Sequence, residues 1–401
     1  MKNGYRVIDM DTHVRAPAEL LEKYADPDFM RDRYDELKPY HKNRSPEFFD
    51  LSVAPIPFSR IPGQPLKEEH LTPIPGGGRD KVTGTAPKNA AGLPGHHRKA
   101  TRPGTACFNP GDRLLDMDDE GRDVDMMFPE AWTNGVQALN DPTLSEGVYK
   151  AYHRFLNEYC SADPNRLKTS LQLPGNDVEW SIGELKAWAN EKWMAGVWLH
   201  LGPDQPIDDP GLEPLWAVMN DLDVPLVHHS FYVDWPYFPG YRDMWGTAAI
   251  CRAAAHPWGA SRLSGYFICS GILDRYPNLR FGFAEVGHGW LPNWALRLTE
   301  EIWYVSGVDL PTLKYPPIEY FQQGRICVAA EPMEGPIMTK AVYDVLGDQC
   351  LFHQSDYPHP QSYFPDTAEM VIDWPIWKDL GDQALRNHMG GNAARFLGSR
   401  L

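Results

Sequence analysis

The chain alternates short apolar runs with longer segments that have the apolar period of an amphipathic helix. Helical spacing fills most of the intervals between the runs, as in Asp177–Trp193 and Gly335–Leu346. Strands that alternate with helices are typical of a parallel sheet covered by helices. The pattern therefore predicts an α/β fold, a (β/α)8 TIM-like barrel. The strand-like runs are Val7–His13, Val124–Phe128, Arg166–Leu173, Gly196–Leu201, Val224–His229, Leu279–Glu285, Arg325–Glu331 and Cys350–Asp356.

One segment interrupts this alternation. Residues from about Tyr40 to Gly104 are rich in proline and glycine, including the run Gly76-Gly77-Gly78. A loop longer than about 15 residues is uncommon in a compact domain unless it is a lid, an interface arm or disordered. We therefore predict one domain over residues 1–401, with a long insertion after the first strand at about 40–104 that serves as a lid or a subunit arm.

Composition restricts the class of protein. Of the 401 residues, 42% are hydrophobic and 23% are charged, which is typical of a globular protein. A net charge of −16 gives no electrostatic basis for binding nucleic acid or anionic lipid. No apolar stretch approaches the roughly 20 residues that cross a bilayer, and the polar first residues lead us to expect no secretory segment. Because the six cysteines contain no Cys-x-x-Cys pair, we expect a cytoplasmic protein with reduced thiols.

Acidic and imidazole side chains stand at four of the predicted strand ends. In the first run, Asp9, Asp11 and His13 are two residues apart, and strand periodicity predicts that they share one face. The other strand-end residues are His228, His229, Glu285, His288 and Asp356. The carboxyl ends of barrel strands meet at one rim, so such donors can converge there on a divalent metal.

Several motifs, in this order, resemble the amidohydrolase-related family. They are Asp11-Thr-His13, Gly271-Ile-Leu-Asp-Arg-Tyr-Pro, Glu285-Val-Gly-His-Gly-Trp, Ser355-Asp-Tyr-Pro-His359 and Asn392-Ala-Ala-Arg-Phe-Leu397. The resemblance is to the branch that holds aminocarboxymuconate-semialdehyde decarboxylase and the resorcylate, carboxyvanillate and salicylate decarboxylases. It covers nearly the whole chain except the insertion, and it implies a metal-dependent barrel enzyme.

The resemblance also implies roles for individual residues. Asp11, His13, His229 and Asp356 match the positions that bind a divalent metal, with zinc as the first choice and manganese or iron as alternatives. Asp356 would also shuttle a proton, and His228, the neighbour of His229, would be structural.

The end of the sixth strand departs from the decarboxylases. Those enzymes usually have a catalytic histidine where this chain has Glu285, and His288 lies three residues further on. Either residue could supply the catalytic acid or base. Alternatively, both bind a second metal, or Glu285 caps the strand and His288 packs beside Trp290.

Five further positions are weaker candidates. His200, at the end of the fourth run, and Arg15 are predicted to contact the substrate, with a rim hydrogen bond and a surface ion pair as the respective alternatives. His359 is expected to orient the rim loop or bind a ligand, and Glu331 to lie behind the ligands. His256-Pro257 is predicted to form a turn, with a lid contact as the alternative.

Three functions follow from these residues. The first is a mononuclear metal enzyme that decarboxylates or hydrolyses a small carboxylic acid. The second is a dinuclear non-haem, dioxygen-dependent hydroxylase, or a subunit of one, resembling the α-aminoisobutyrate hydroxylase system. The third is a metal-bearing structural subunit paired with a catalytic paralogue. The expected partners are a small carboxylate substrate and either further copies of the chain or a paralogous subunit, with no nucleic acid and no membrane.

Overall fold

The computed structural model describes residues 1–38, 49, 109–129, 136, 139–202, 205–231, 248–305, 311–359 and 361–401. The predicted insertion at 40–104 lies almost entirely outside these residues, so its role as a lid or a subunit arm stays a prediction. Among the described residues, no helix is both long enough and apolar enough to cross a membrane.

Eight parallel strands of the described chain form one sheet in the order β1 to β8. Two backbone hydrogen bonds connect β1 with the segment just after β8. The N–H of His13 donates to the carbonyl of Tyr357, and the N–H of Asp356 donates to the carbonyl of Asp11. The predicted (β/α)8 barrel is therefore confirmed. The strands are β1 Ile8–His13, β2 Val124–Phe128, β3 Leu167–Pro174, β4 Met194–His200, β5 Leu226–His229, β6 Phe281–Ala284, β7 Ile326–Ala330 and β8 Leu351–His353.

Helices follow the strands around the outside of the barrel. Those before β3 are α1 Leu20–Tyr24, α2 Pro27–Asp32, α3 Tyr34–Leu37, α4 Pro110–Glu120 and α5 Pro142–Cys160. Those between β3 and β7 are α6 Val178–Trp188, α7 Glu213–Asp221, α8 Ala248–Cys269, α9 Ile272–Arg275, α10 Leu291–Tyr304 and α11 Pro317–Gln322. Those after β7 are α12 Gly335–Leu346, α13 Thr367–Ile372, α14 Trp377–Leu380, α15 Asp382–Arg386 and α16 Asn392–Leu397, with a π-helical turn at Asn387–Gly391.

The barrel interior is a separate small apolar cluster. Ile8, Met10, Phe128 and Trp198 belong to it, and helix α16 adds Phe396. The ring of Phe396 fits only because β6 has a glycine at 282, where a Cβ would lie 2.7 Å from the ring. The larger apolar cluster joins the outer faces of the strands to the surrounding helices.

Strand β1 corrects one prediction from the sequence. Its pairing with β2 shifts between Asp9 and Thr12, so the alternation of faces is broken there. Asp9 stands between two interior residues, Ile8 and Met10, and its side chain faces outward. The prediction that Asp9 shares a face with Asp11 and His13 is therefore wrong.

Helix α8 corrects a second prediction. His256 and Pro257 lie inside this helix and do not form a turn. Proline removes one backbone hydrogen bond, and the helix nevertheless continues through Pro257 to Cys269. Helix α8 ends at Cys269, and Gly271, whose φ is 73°, separates it from α9.

Candidate metal centre and active site

Three strand ends bring four predicted metal ligands together inside the rim. Nε2 of His13 lies 3.1 Å from Oδ1 of Asp356 and 3.6 Å from Oδ1 of Asp11. Nε2 of His229, from β5 on the opposite wall, lies 3.3 Å from the same Asp11 oxygen. Within the described chain, donor atoms of Asp11, His13 and His229 lie within 4.8 Å of one another.

These distances fit a shared divalent ion. Nitrogen and oxygen ligands bind zinc at about 2.0–2.2 Å, so two ligands of one ion lie roughly 3.0–3.6 Å apart. Nε2 of His13 and Oδ2 of Asp356 are buried, and neither has a hydrogen-bond partner among the residues that the structure describes. Buried polar atoms without a partner are costly, and an ion would satisfy the donor set.

The backbone turns sharply where the ligands end their strands. Ser230 after β5, Glu285 after β6 and Asp356 after β8 have φ values of 61°, 52° and 58°. A left-handed conformation costs about 1–2 kcal/mol for a residue other than glycine. Such strain persists where the surrounding contacts enforce it, and here it turns the two carboxylates into the barrel mouth.

The electrostatics of the site keep the His13 ring neutral and the Asp356 carboxylate ionised. Burial, together with the nearby His359 and His229 rings, lowers the pKa of His13 to about 3. Burial alone would raise the pKa of Asp356, but His359 and His13 hold it below its usual range. Neutral imidazole and ionised carboxylate are the forms that bind metals.

His359 joins the cluster from the loop after β8. Its Nδ1 lies 2.8 Å from Oδ1 of Asp356, and its ring stacks on His13 with centroids 3.9 Å apart. Donor atoms of His13, Asp356 and His359 also lie within 4.8 Å of one another. The sequence indicated this residue only through its nearness to Asp356. In the structure it supports Asp356 directly.

Glu285 and His288 have different surroundings. Oε2 of Glu285 lies 3.4 Å from Nε2 of His229, at the edge of the ligand cluster. His288 is fully buried elsewhere: its Nε2 lies 3.0 Å from Oγ1 of Thr339 on α12, and its Nδ1 lies 3.1 Å from Oε2 of Glu334. The structure does not bring His288 to the ligands, so the two-metal hypothesis loses one of its predicted donors.

The turn that separates Glu285 from His288 is held by hydrogen bonds to two carboxylates that follow β7. Oε2 of Glu334 accepts the backbone N–H groups of His288 and Gly289, at 2.9 and 2.7 Å. Glu331 accepts the N–H of Gly287 at 2.9 Å. Glu331 was expected from the sequence to lie behind the ligands, whereas Glu334 was not predicted. An acid at the start of a predicted helix was the available signal.

The remaining predicted residues lie around this centre. His228 points away from the ligands and stacks on Phe231 with centroids 4.2 Å apart, as expected for a structural residue. His200 is buried at the end of β4, on the same face as the interior residue Trp198. Arg15 is half-buried two residues beyond β1, and its role as a substrate anchor stays a prediction.

A family model described as amidohydrolase matches residues 8–399. The chain belongs to this family. Gamma-resorcylate decarboxylase from Polaromonas sp. is 25% identical over 284 residues, covering 65% of this chain and 84% of that protein. The 2-amino-3-carboxymuconate-6-semialdehyde decarboxylase of Dictyostelium discoideum is also 25% identical, covering 73% of this chain and 77% of that protein.

Solved structures show the same fold. An amidohydrolase from Mycobacterium avium superposes with a TM-score of 0.70 at 16% identity, over 98% of this chain and all of that chain. The 5-carboxyvanillate decarboxylase of Novosphingobium aromaticivorans, in complex with manganese and a nitrobenzoic acid, gives 0.64 at 19% identity, over 99% and 97%. The predicted family and class, a metal-dependent lyase or hydrolase of the amidohydrolase superfamily, are confirmed. Within the described residues, two groups of donors could hold a metal ion: Asp11 with His13 and His229, and His13 with Asp356 and His359.

Proposed function

We propose that the chain is a mononuclear metal-dependent decarboxylase of an aromatic carboxylic acid. The observation that carries the proposal is an aromatic wall beside the ligand cluster. The ring of Phe128 lies 5.0 Å from that of His229, and the ring of Trp198 lies 5.8 Å from it. A flat apolar wall against a metal site suits an aromatic ring whose carboxylate faces the metal.

Asp11, His13, His229 and Asp356 would hold the ion. Bound there, a divalent metal would supply Lewis acidity toward the carboxylate and any adjacent oxygen of the substrate. The ligands are oxygen and nitrogen without thiolate, which suits manganese and zinc alike. Manganese is our first choice because decarboxylase relatives hold it, and zinc is the alternative.

Glu285 is the proposed proton donor. Decarboxylation breaks the bond between the ring carbon and the carboxylate, releases carbon dioxide and places a proton on the same carbon. Glu285 stands beside the cluster, 5% exposed, where the decarboxylases have a histidine. Asp356 is the rival donor, but His13 and His359 favour its ionised form, which suits a metal ligand better than an acid.

Carbon dioxide release from a panel of hydroxylated benzoic acids tests this function. The protein is assayed with manganese and with zinc, and in deuterated water the product should carry deuterium at the carbon that lost the carboxylate. Oxygen consumption is followed in parallel. Release that does not depend on oxygen supports the proposal. Oxygen uptake with hydroxylated products, or ester or amide hydrolysis with no carbon dioxide from any aromatic acid, would contradict it.

A further inference from the structure

A chain of hydrogen bonds runs behind the barrel mouth from β4 to β3. Nε2 of His200 lies 2.8 Å from Oε1 of Gln172. The amide nitrogen of Gln172 donates to the backbone carbonyl of Ser170 at 3.2 Å and to its hydroxyl at 3.1 Å. The backbone N–H of Gln172 donates to Nε2 of His153, whose Nδ1 lies 2.7 Å from Oε1 of Glu184.

This chain fixes which nitrogen of His200 carries the proton. A backbone carbonyl can only accept, so the Gln172 atom that faces Ser170 is the NH₂ group. The oxygen of Gln172 therefore faces His200, and it requires a donor. His200 must present Nε2–H, which leaves Nδ1 as an acceptor whenever the ring is neutral.

The surroundings of the ring keep it neutral. His200 stacks on Tyr149 of α5 with centroids 5.4 Å apart and lies 4.8 Å from Trp198. It is 5% exposed, and burial together with nearby His228 lowers its pKa well below the usual value. Within the described part of the chain, no hydrogen bond to Nδ1 of His200 is found.

The ring also belongs to the wall that faces the metal ligands. Trp198, two residues earlier on the same face of β4, contacts both His200 and His229. Gln172, Trp198 and His200 thus connect one side of the barrel mouth to the ligand cluster. A substrate ring placed against Trp198 would bring its substituents toward His200.

We propose that His200 is a specificity residue whose Nδ1 accepts a hydrogen bond from a neutral O–H or N–H group of the substrate. The inference rests on the proposed function for the identity of the aromatic substrate. In this role His200 accepts a hydrogen bond from the substrate and does not donate one to its carboxylate. A neutral nitrogen acceptor at Nδ1 would repel a carboxylate oxygen. The enzyme should therefore prefer ring hydroxyl or amino groups to methoxy groups at the position that His200 reads.

Equilibrium binding to the metal-loaded protein tests this preference. The probes are sets of three benzoates that carry a hydroxyl, an amino or a methoxy group at the same ring position. We expect the wild type to favour hydroxyl or amino over methoxy by about tenfold at one position, the usual size of one hydrogen bond and its unpaired alternative. Comparing the hydroxy and amino members of each set shows whether His200 accepts better from an O–H or from an N–H group.

Variants show whether His200 causes the preference. His200→Phe keeps the stacked ring and should abolish the discrimination without changing metal content. His200→Asn keeps an acceptor near the position of Nδ1 and should retain part of it. Gln172→Leu removes the group that sets the tautomer and should weaken it. Unchanged discrimination in His200→Phe would overturn the inference even if the enzyme is a decarboxylase.

A measurement without ligand separates this inference from the proposed function. In protein labelled with ¹⁵N-histidine, the nitrogen shifts of His200 should show a protonated Nε2 and an unprotonated Nδ1 at pH 7. A ring protonated at Nδ1, or at both nitrogens, would overturn the assignment. Failure of every aromatic acid to bind or react would contradict the decarboxylase function while leaving this result in place.

Discussion

The seam between β8 and β1 and the turn after β6 both carry predicted site residues, but they are built differently. At the seam, backbone hydrogen bonds between β1 and the segment just after β8 hold Asp11, His13 and Asp356, and all three side chains face the mouth. After β6, the chain reverses within four residues, so that Glu285 faces the ligands and His288 faces α12. Residues close in sequence therefore share one site in the case of Asp11 and His13, but not in the case of Glu285 and His288.

The cause of the difference is the source of the hydrogen bonds. At the seam, backbone groups of β1 bond to the segment after β8, and the outward carboxylate of Asp9 accepts the N–H groups of Asp11 and Ser355 at 3.2 and 3.0 Å. After β6, side chains of the next strand-to-helix connection, Glu331 and Glu334, perform this role. A turn held by side chains can aim successive residues in opposite directions.

The largest effect is expected at the seam. His13→Ala removes a neutral nitrogen ligand, so metal affinity should fall at least about 100-fold and activity should be lost. Bound metal is measured by elemental mass spectrometry on protein purified without added metal. The matched control is His228→Phe, which replaces a histidine at a strand end that does not face the ligands. Equal metal content in His13→Ala and the control would contradict the site.

Glu285→Gln tests the turn after β6 and should have the next largest effect. Loss of the proposed proton donor should lower kcat by about 10²–10⁴-fold, with metal content unchanged at one ion per chain. His288→Asn is the comparison, since it changes the residue that faces away, and it should lower kcat far less. Two ions in the wild type, with one lost in Glu285→Gln, would instead support the dinuclear hydroxylase.

Glu334→Ala tests whether this carboxylate holds the turn after β6 in place. It removes the acceptor for two backbone N–H groups, so the turn should loosen and Glu285 should lose its position. We expect kcat to fall about 10–100-fold while metal content stays the same. Glu334→Gln retains an acceptor oxygen and should recover much of the activity. Wild-type turnover in Glu334→Ala would show that the turn keeps its shape without this carboxylate.

The smallest effect is expected for the outer support of the seam. Asp9→Ala should weaken metal binding by about tenfold, because the N–H groups of Asp11 and Ser355 lose their acceptor. Asp9→Asn keeps an oxygen there and should remain closer to the wild type. Asp125→Asn serves as the control, because Asp125 is equally buried and also lies near Arg122. A similar loss of metal affinity in Asp125→Asn and Asp9→Ala would indicate general destabilisation.

The sequence alone determined the barrel and the rim at which most of the candidate metal ligands lie. Alternating apolar runs and helical segments specify parallel strands, and a parallel barrel places every carboxyl end at one rim. For that reason the acidic and imidazole residues at the strand ends could be predicted to converge, while the set Asp11, His13, His229 and Asp356 is what the family resemblance implies. Family resemblance then selected His229 over its neighbour His228.

Only the tertiary structure decided where side chains point at irregular positions. The shift in the pairing of β1 turned Asp9 outward, and the turn after β6 separated Glu285 from His288. The tautomer of His200 likewise depends on Gln172, a residue of the neighbouring strand. Side-chain direction at a bulge or a turn follows from hydrogen bonds to residues distant in sequence, and strand periodicity carries no information about those partners.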